Sequence, residues 1–337
     1  MPFARPKDVR FWGRQRMYGL AVRLSMLHRF VCEVLSLFLA PFSLALRPHV
    51  GLVVKGKVDD VRRGSRRAKF LPINGVEIIG YGQPANPSCE FLEELSTIQF
   101  ARIYAYNLTH LDNVGSLAQL RHLQLTHVLR GQVIAVDLAT LRKLKRAVLH
   151  WFTGAETIFG AKQLRDLMLT GCPISNSQPI GQLDNLLRLR LISGRLREVG
   201  SLRQLTSLCW LALHDHRKLS DFRGLSGHPT IQFLWIEGCR KFGSFQWLAG
   251  MPRLETLRIL DCGRISGIEA LQSLPRLKHV HIHGDVKIPA SDFSFLHRMP
   301  SLESVYIRGM PRTDAEHWDR RRVEYSLVRR DLLDERL

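Results

Sequence analysis

Apolar residues recur along the last two-thirds of this chain with the spacing Leu-x-x-Leu-x-x-Leu-x-Leu, renewed about every twenty-two residues. The clearest copies are Leu202-x-x-Leu205-x-x-Leu208-x-x-Leu211-x-Leu213, Leu248-x-x-Met251-x-x-Leu254-x-x-Leu257-x-Ile259 and Leu271-x-x-Leu274-x-x-Leu277-x-x-Val280-x-Ile282. The last apolar position of each copy falls at Leu125, Leu149, Leu169, Leu191, Leu213, Ile236, Ile259, Ile282 and Ile307, with steps of 24, 20, 22, 22, 23, 23, 23 and 25. A weaker copy ends at Ile103-x-Ala105, and Val76-x-Ile78 is a candidate strand before it. The closing Leu-x-Leu has a period of two, which puts both apolar residues on one face of a short strand. The three-residue spacing ahead of it suits helical or extended turns on an opposite wall. Neither half buries its apolar face alone. A period of this length therefore predicts stacked coils with one shared core and a cap at each end.

This pattern resembles the leucine-rich-repeat family, with repeat lengths near those of its short-repeat, internalin-like class, over roughly residues 91–310. The resemblance implies an α/β solenoid: a curved right-handed stack with a parallel concave β-sheet and short helical or extended convex segments. Residues 50–90 then form an N-terminal cap region and 311–337 a C-terminal capping helix. Three residues after the last strand leucine the family usually carries an inward Asn or Cys that serves the backbone of the turn. Cys172, Cys239 and Cys262 hold that place here, with Gly194, His216 and Asp285 in other coils. One cysteine per coil at the same turn position reads as structural rather than as metal or redox chemistry. Cys32, Cys89 and Cys209 share no CxxC spacing, and six cysteines without a paired framework argue against a disulfide scaffold.

The net charge is +19 and the sequence pI about 10.3. Arginine supplies 38 of the 49 basic residues, a bias that a GC-rich genome produces as readily as selection for anionic partners, so charge alone says little. Its distribution says more, because residues 1–70 carry 15 Lys or Arg against 4 Asp or Glu. Arg5 to Arg29 precede an apolar run from Phe30 to Leu46, interrupted by Glu33 and Pro41 and ending in the small-residue stretch Ser43-Leu44-Ala45. Three readings stay open for residues 1–49: a targeting or membrane-associating segment, an amphipathic helix of the cap, and a non-native extension from an upstream start codon. Location stays open with them, cytoplasmic or directed to secretion or a membrane. Arg62-Arg63-Gly64-Ser65-Arg66-Arg67 reads as a solvated basic loop, with phosphate binding or phosphorylation of Ser65 as the functional alternatives. At the other end, Trp318, Val323, Leu327, Val328, Leu332 and Leu333 suit one face of a helix that caps the last coil.

Catalytic signatures are missing: no GxxxxGK[ST], GxSxG, HExxH or dinucleotide fingerprint occurs, which points to a binding module without cofactors rather than an enzyme. His279-x-His281-x-His283 falls on one strand face, but Glu237, in the His283 column two strands away, is about 10 Å distant and poorly placed to complete a metal shell. The resemblance places binding on the concave sheet. The residue between the paired strand leucines then points outward, giving the column Tyr104, Gln124, Val148, Met168, Arg190, Ala212, Trp235, Arg258, His281 and Tyr306. Arg188, Trp210, Phe233 and His279 flank it on one side and His214 on the other. Arg, Trp and Tyr at outward positions are the types that anchor interfaces. The expected function is recognition of a protein with an acidic surface, through Arg188, Arg190, Trp210, His214, Phe233, Trp235, Arg258, His279, His281 and Tyr306. The alternative is an anionic polymer, nucleic acid or acidic glycan, on the same surface. A dip at Ala212 beside the Trp235 indole is expected to receive a partner side chain.

Overall fold

The computed structural model describes residues 43–47, 51–67, 73–80, 87–129, 132–289 and 293–319. One sheet of thirteen strands runs through them in sequence order. It comprises Ser43–Arg47 (β1), Gly51–Gly56 (β2), Ile73–Ile79 (β3), Phe100–Tyr104 (β4), His122–Thr126 (β5), Arg146–His150 (β6) and Asp166–Thr170 (β7). It continues with Arg188–Ile192 (β8), Trp210–His214 (β9), Phe233–Glu237 (β10), Thr256–Leu260 (β11), His279–His283 (β13) and Ser304–Ile307 (β15). Strand β1 pairs antiparallel with β2, and every later neighbour is parallel. Gly263–Arg264 (β12) and Val286–Lys287 (β14) form a separate two-stranded ribbon beyond the C-terminal ends of β11 and β13.

The strands are short because each coil has one pair of inward residues to bury. Leu167 and Leu169 of β7, Leu189 and Leu191 of β8 and Leu211 and Leu213 of β9 are all at most 2% exposed. The opposite wall is a series of 3-10 turns, such as Gly200–Gln204, which buries Leu202. Both walls meet in one continuous apolar core from Val54 to Trp318.

Leaving the strand requires a sharp change of direction, and the backbone makes it the same way in coil after coil. Two residues past the last inward strand residue, φ is positive at Gly171, Ser193, Asp215, Gly238, Asp261, Gly284 and Gly309. This left-handed conformation costs about 1–2 kcal/mol in a residue with a Cβ, which explains the run of Gly and Asp. The next residue turns inward. Cys172, His216, Cys239 and Cys262 are all buried there. The Cys262 thiol donates to the Leu260 carbonyl at 3.1 Å and the Cys239 thiol to that of Glu237 at 3.5 Å. His216 is too large for a cysteine's place, and Gly194 in the preceding coil makes room: a Cβ there would lie 2.7 Å from the imidazole Cε1. Asp285 departs from the pattern, since its side chain is 55% exposed and faces Arg240 at 3.9 Å.

The flanks differ from the sequence reading. Arg62 to Arg67 lie in a helix, Val58–Arg67 (α1), not a loop. Asp59 and Asp60 in its first turn bind Arg62 and Arg63 at 2.7 and 3.0 Å, and Ser65 is buried. Ser43 to Ala45 belong to β1, paired with Lys55 to Val53, so a cut at that small-residue stretch would split a strand. Residues 1–42, which carry most of the basic and apolar N-terminal segment, lie outside the described residues. The sheet also reaches back past residue 91 through β3 and β2. At the C-terminus, Arg312–Asp319 (α2) sets Trp318, 3% exposed, against the last coil, with His297 stacked on its indole at 5.9 Å. Val323, Leu327, Val328, Leu332 and Leu333 lie outside the described residues. No described helix is long and apolar enough to cross a membrane.

Two substitutions test the stack. Gly238, at φ +63°, would carry a Cβ 2.4 Å from Asp215 Oδ1, so Gly238→Ala is expected to cost more than the bare left-handed penalty of about 1–2 kcal/mol. Leu211→Asp puts an unpaired charge in the core and is expected to cost several kcal/mol. Urea denaturation measures both, and an unchanged midpoint for Leu211→Asp would contradict the register at β9.

Candidate functional site

Backbone pairing fixes which residues share a column on the outward face. One column runs Lys55, Glu77, Arg102, Gln124, Val148, Met168, Arg190, Ala212, Trp235, Arg258, His281 and Tyr306. From Gln124 onward it is the column expected from the leucine spacing. Before Gln124 the expectation slips by two residues: the inward pair of β4 is Ala101 and Ile103, so Arg102 takes the column and Tyr104 stands beside Thr126. Val76-x-Ile78 does form a strand, aligned with Ala101-x-Ile103.

In its C-terminal half the column packs against itself. The Arg258 guanidinium lies 4.4 Å from the Trp235 ring centre, and that of Arg190 lies 5.8 Å from Trp235 and 5.0 Å from Trp210. Arg190 thus spans Ala212, the small residue between its own strand and that of Trp235. Ala212 is 0% exposed, so the expected dip is filled by the chain's own side chains. Trp210 stacks flat on Phe233 at 5.3 Å, which leaves Phe233 8% exposed rather than open to a partner. His214 tilts against Trp235 at 4.5 Å. His281 sits 4.4 Å from His283 and 5.1 Å from Tyr306, and Tyr306 stays 43% exposed. His279 is half-buried, its Nε2 3.9 Å from Glu303.

The open part of the face lies further toward the N-terminus, and of the residues expected from the sequence it takes in Arg188, Arg190, Trp210 and Phe233. A groove of about 620 Å³ runs from β4 to β10, with Arg102, His122, Gln124, Arg146, Asp166, Met168, Arg188 and Arg190 along it and Trp210 and Phe233 closing it. Part of its charge is held internally. Glu77, 3% exposed, takes Lys55 at 3.1 Å and Arg102 at 3.6 Å, while Arg102 Nε donates to Gln124 at 2.9 Å. Arg146 faces Asp166 at 3.5 Å. Arg188 is exposed. Four arginines against Asp166 leave the groove positive. Tyr104, Tyr106, His127 and His150 form an aromatic cluster at one margin, with Tyr106 stacked on His127 at 4.8 Å. His127 N–H donates to His150 Nδ1 at 3.0 Å, a bond that requires His150 unprotonated.

Burial also lowers His214, His281, His122 and His279. It is the main cause that brings His214 down to about 4, with Arg190 next, and His281 down to about 3, with His283 and then Arg258 next. His122 and His279 are lowered in the same way. Glu237 moves up, first through burial and then through Asp215 and Asp261. Burial pushes the Cys172 and Cys262 thiols up to about 12 and that of Cys239 in the same direction, which suits structural thiols and not nucleophiles. Among the described residues no group of three His, Cys, Asp or Glu side chains is placed to hold a metal ion.

Comparison with protein-family models gives no match, and comparison with curated proteins gives none. Solved structures do match. An internalin from Listeria monocytogenes, inlF, superimposes with a TM-score of 0.57 at 14% identity, over 74% of this chain and 69% of that one. The functional domain of InlJ from the same organism, described as including a cysteine ladder, gives 0.42 at 12% identity over 75% and 65%. Internalin C2 gives 0.33 at 20% over 70% and 80%. The chain has the leucine-rich-repeat solenoid fold.

The depressed histidines make stability depend on pH. In the unfolded chain they titrate near 6.5, so the unfolded state takes up protons first as the pH falls. Above pH 7 these rings are neutral in both states and add no pH dependence, and stability declines from about pH 6.5 until their folded values near 4 and 3 are reached. The melting temperature is expected to drop between pH 7 and pH 5, and less so in His281→Gln. A flat profile would contradict the burial of these rings.

Proposed function

We propose that this chain is a non-enzymatic module that recognises a protein carrying an acidic surface, and that the partner lies in the groove between β4 and β10. The observation that carries this reading is the groove itself: about 620 Å³, lined by four arginines and Asp166, with aromatic rings at both margins. A groove of that size on a preformed sheet costs little to order on binding, and arginine forks suit carboxylates. The exposed guanidinium of Arg188 is the natural anchor. Arg190, Trp210 and Phe233 belong to the groove, and Trp235, Arg258, His214, His279, His281 and Tyr306 continue the face beyond it, with Tyr306 the most open of the large rings at 43% exposure. An anionic polymer on this same face has less support, because Arg190 and Arg258 already lie against indoles.

Affinity capture with the full chain, then calorimetric titration of the captured protein, tests the proposal. Arg188→Glu is expected to weaken binding by at least about tenfold, or about 1.4 kcal/mol, with the melting temperature unchanged. Trp235→Ala, which removes the ring beneath Arg258 and one of the two beside Arg190, is expected to weaken it about as much and to lower the melting temperature as well. Wild-type affinity in Arg188→Glu and in Met168→Asp would place recognition outside the groove.

A further inference from the structure

A second charged surface lies outside the concave face. Immediately past the inward ladder of Gly194, His216, Cys239 and Cys262, the chain turns outward again, and in five consecutive coils it does so with basic residues. These are Arg195, then Arg217 with Lys218, then Lys241 beside Arg240, then Arg264, then Lys287. All are exposed. The last two are locked side by side, because Arg264 of β12 pairs with Lys287 of β14 in a parallel ribbon. A recess between the first two coils is lined by Ser193, Gly194, Arg195, Asp215, Arg217 and Lys218. Three carboxylates stand near the row. Asp285 pairs with Arg240 at 3.9 Å and Asp261 accepts the Asp285 N–H at 2.6 Å, while Asp215 occupies a left-handed turn position. The six side chains of Arg195, Arg217, Lys218, Lys241, Arg264 and Lys287 form no ion pair among the described residues.

The stack sets their spacing. Neighbouring coils are about 4.8 Å apart, so the row spans about 19 Å over its five coils. A duplex carries one negative charge per about 1.7 Å of helix axis over its two strands, so six cations in a row of that length can neutralise at most six phosphates. The aromatics behind the row, Phe222, Phe242, Phe245 and Trp247, are all buried in the core. Proteins that hold single strands stack bases on exposed rings, whereas duplex phosphates need only Lys and Arg. We infer that this row is a sequence-independent contact for the phosphate backbone of double-stranded nucleic acid, separate from the groove on the sheet.

Fluorescence anisotropy of a labelled mixed-sequence duplex titrated with the full chain at several salt concentrations tests this. Six phosphate contacts, the most the row can make, give a slope of log affinity against log salt of about −5, so the loss between about 50 and 200 mM salt is at most about a thousandfold. Arg217→Glu with Lys218→Glu is expected to weaken binding and to make the slope shallower by about 2. Lys241→Gln with Lys287→Gln, which leaves the turns intact, is expected to do the same and decides the matter if the first pair fails to fold. Arg188→Glu, in the groove, is expected to leave duplex binding as in the wild type. Absence of binding at low salt, an unchanged slope in both pairs, or loss of duplex binding in Arg188→Glu would overturn the inference. So would capture of the chain by phosphatidylserine vesicles under conditions where the duplex is not bound.

Discussion

Every coil of this chain has too little apolar surface to close on itself, so each strand is stable only between its neighbours. That single constraint explains the short strands, the repeated spacing and the need for caps. With two inward residues per strand and a few more on the 3-10 wall, a coil gains roughly 1.5–3 kcal/mol per buried side chain before the entropy of ordering about twenty residues is subtracted. Lone coils do not survive that subtraction. The constraint also fixes the outward face, because a residue between two inward leucines has nowhere else to point.

The turn that ends each strand carries the second half of the design. It must reverse direction within two residues and still satisfy backbone groups in the interior, and it does so with a left-handed residue followed by an inward one. His216 shows how tightly neighbours are coupled, since its imidazole is accommodated by the missing side chain of Gly194 one coil earlier. The same turn then points outward with a basic residue. One short segment thus alternates between serving the core and presenting charge.

Much of this was legible in the leucine spacing: the sheet, the outward column from Gln124 to Tyr306 and the inward cysteines. What escaped has physical reasons. At β4, Ala101-x-Ile103 and Ile103-x-Ala105 are both apolar pairs at period two, and alternation alone does not choose between registers two residues apart. Arg102 was missed as a result. The dip at Ala212 failed for a different reason, because a column of residue names does not show that a long guanidinium will lie across its small neighbour onto an indole. The floor of the groove between β4 and β10 was overlooked because Gln124, Val148 and Met168 look unremarkable as residue types, and what makes them a site is the open floor they form beneath Arg146 and Arg188.

Recognition in that groove is the claim on which the functional account turns, and site-specific photo-crosslinking tests it most directly. A photoreactive residue in place of Gln124 or Met168, on the floor between β5 and β7, is compared in the full chain with one in place of Arg203 on the opposite wall. The account predicts covalent capture of the protein partner from the two groove positions and none from the wall. Capture from Arg203 without capture from Gln124 or Met168 would contradict it.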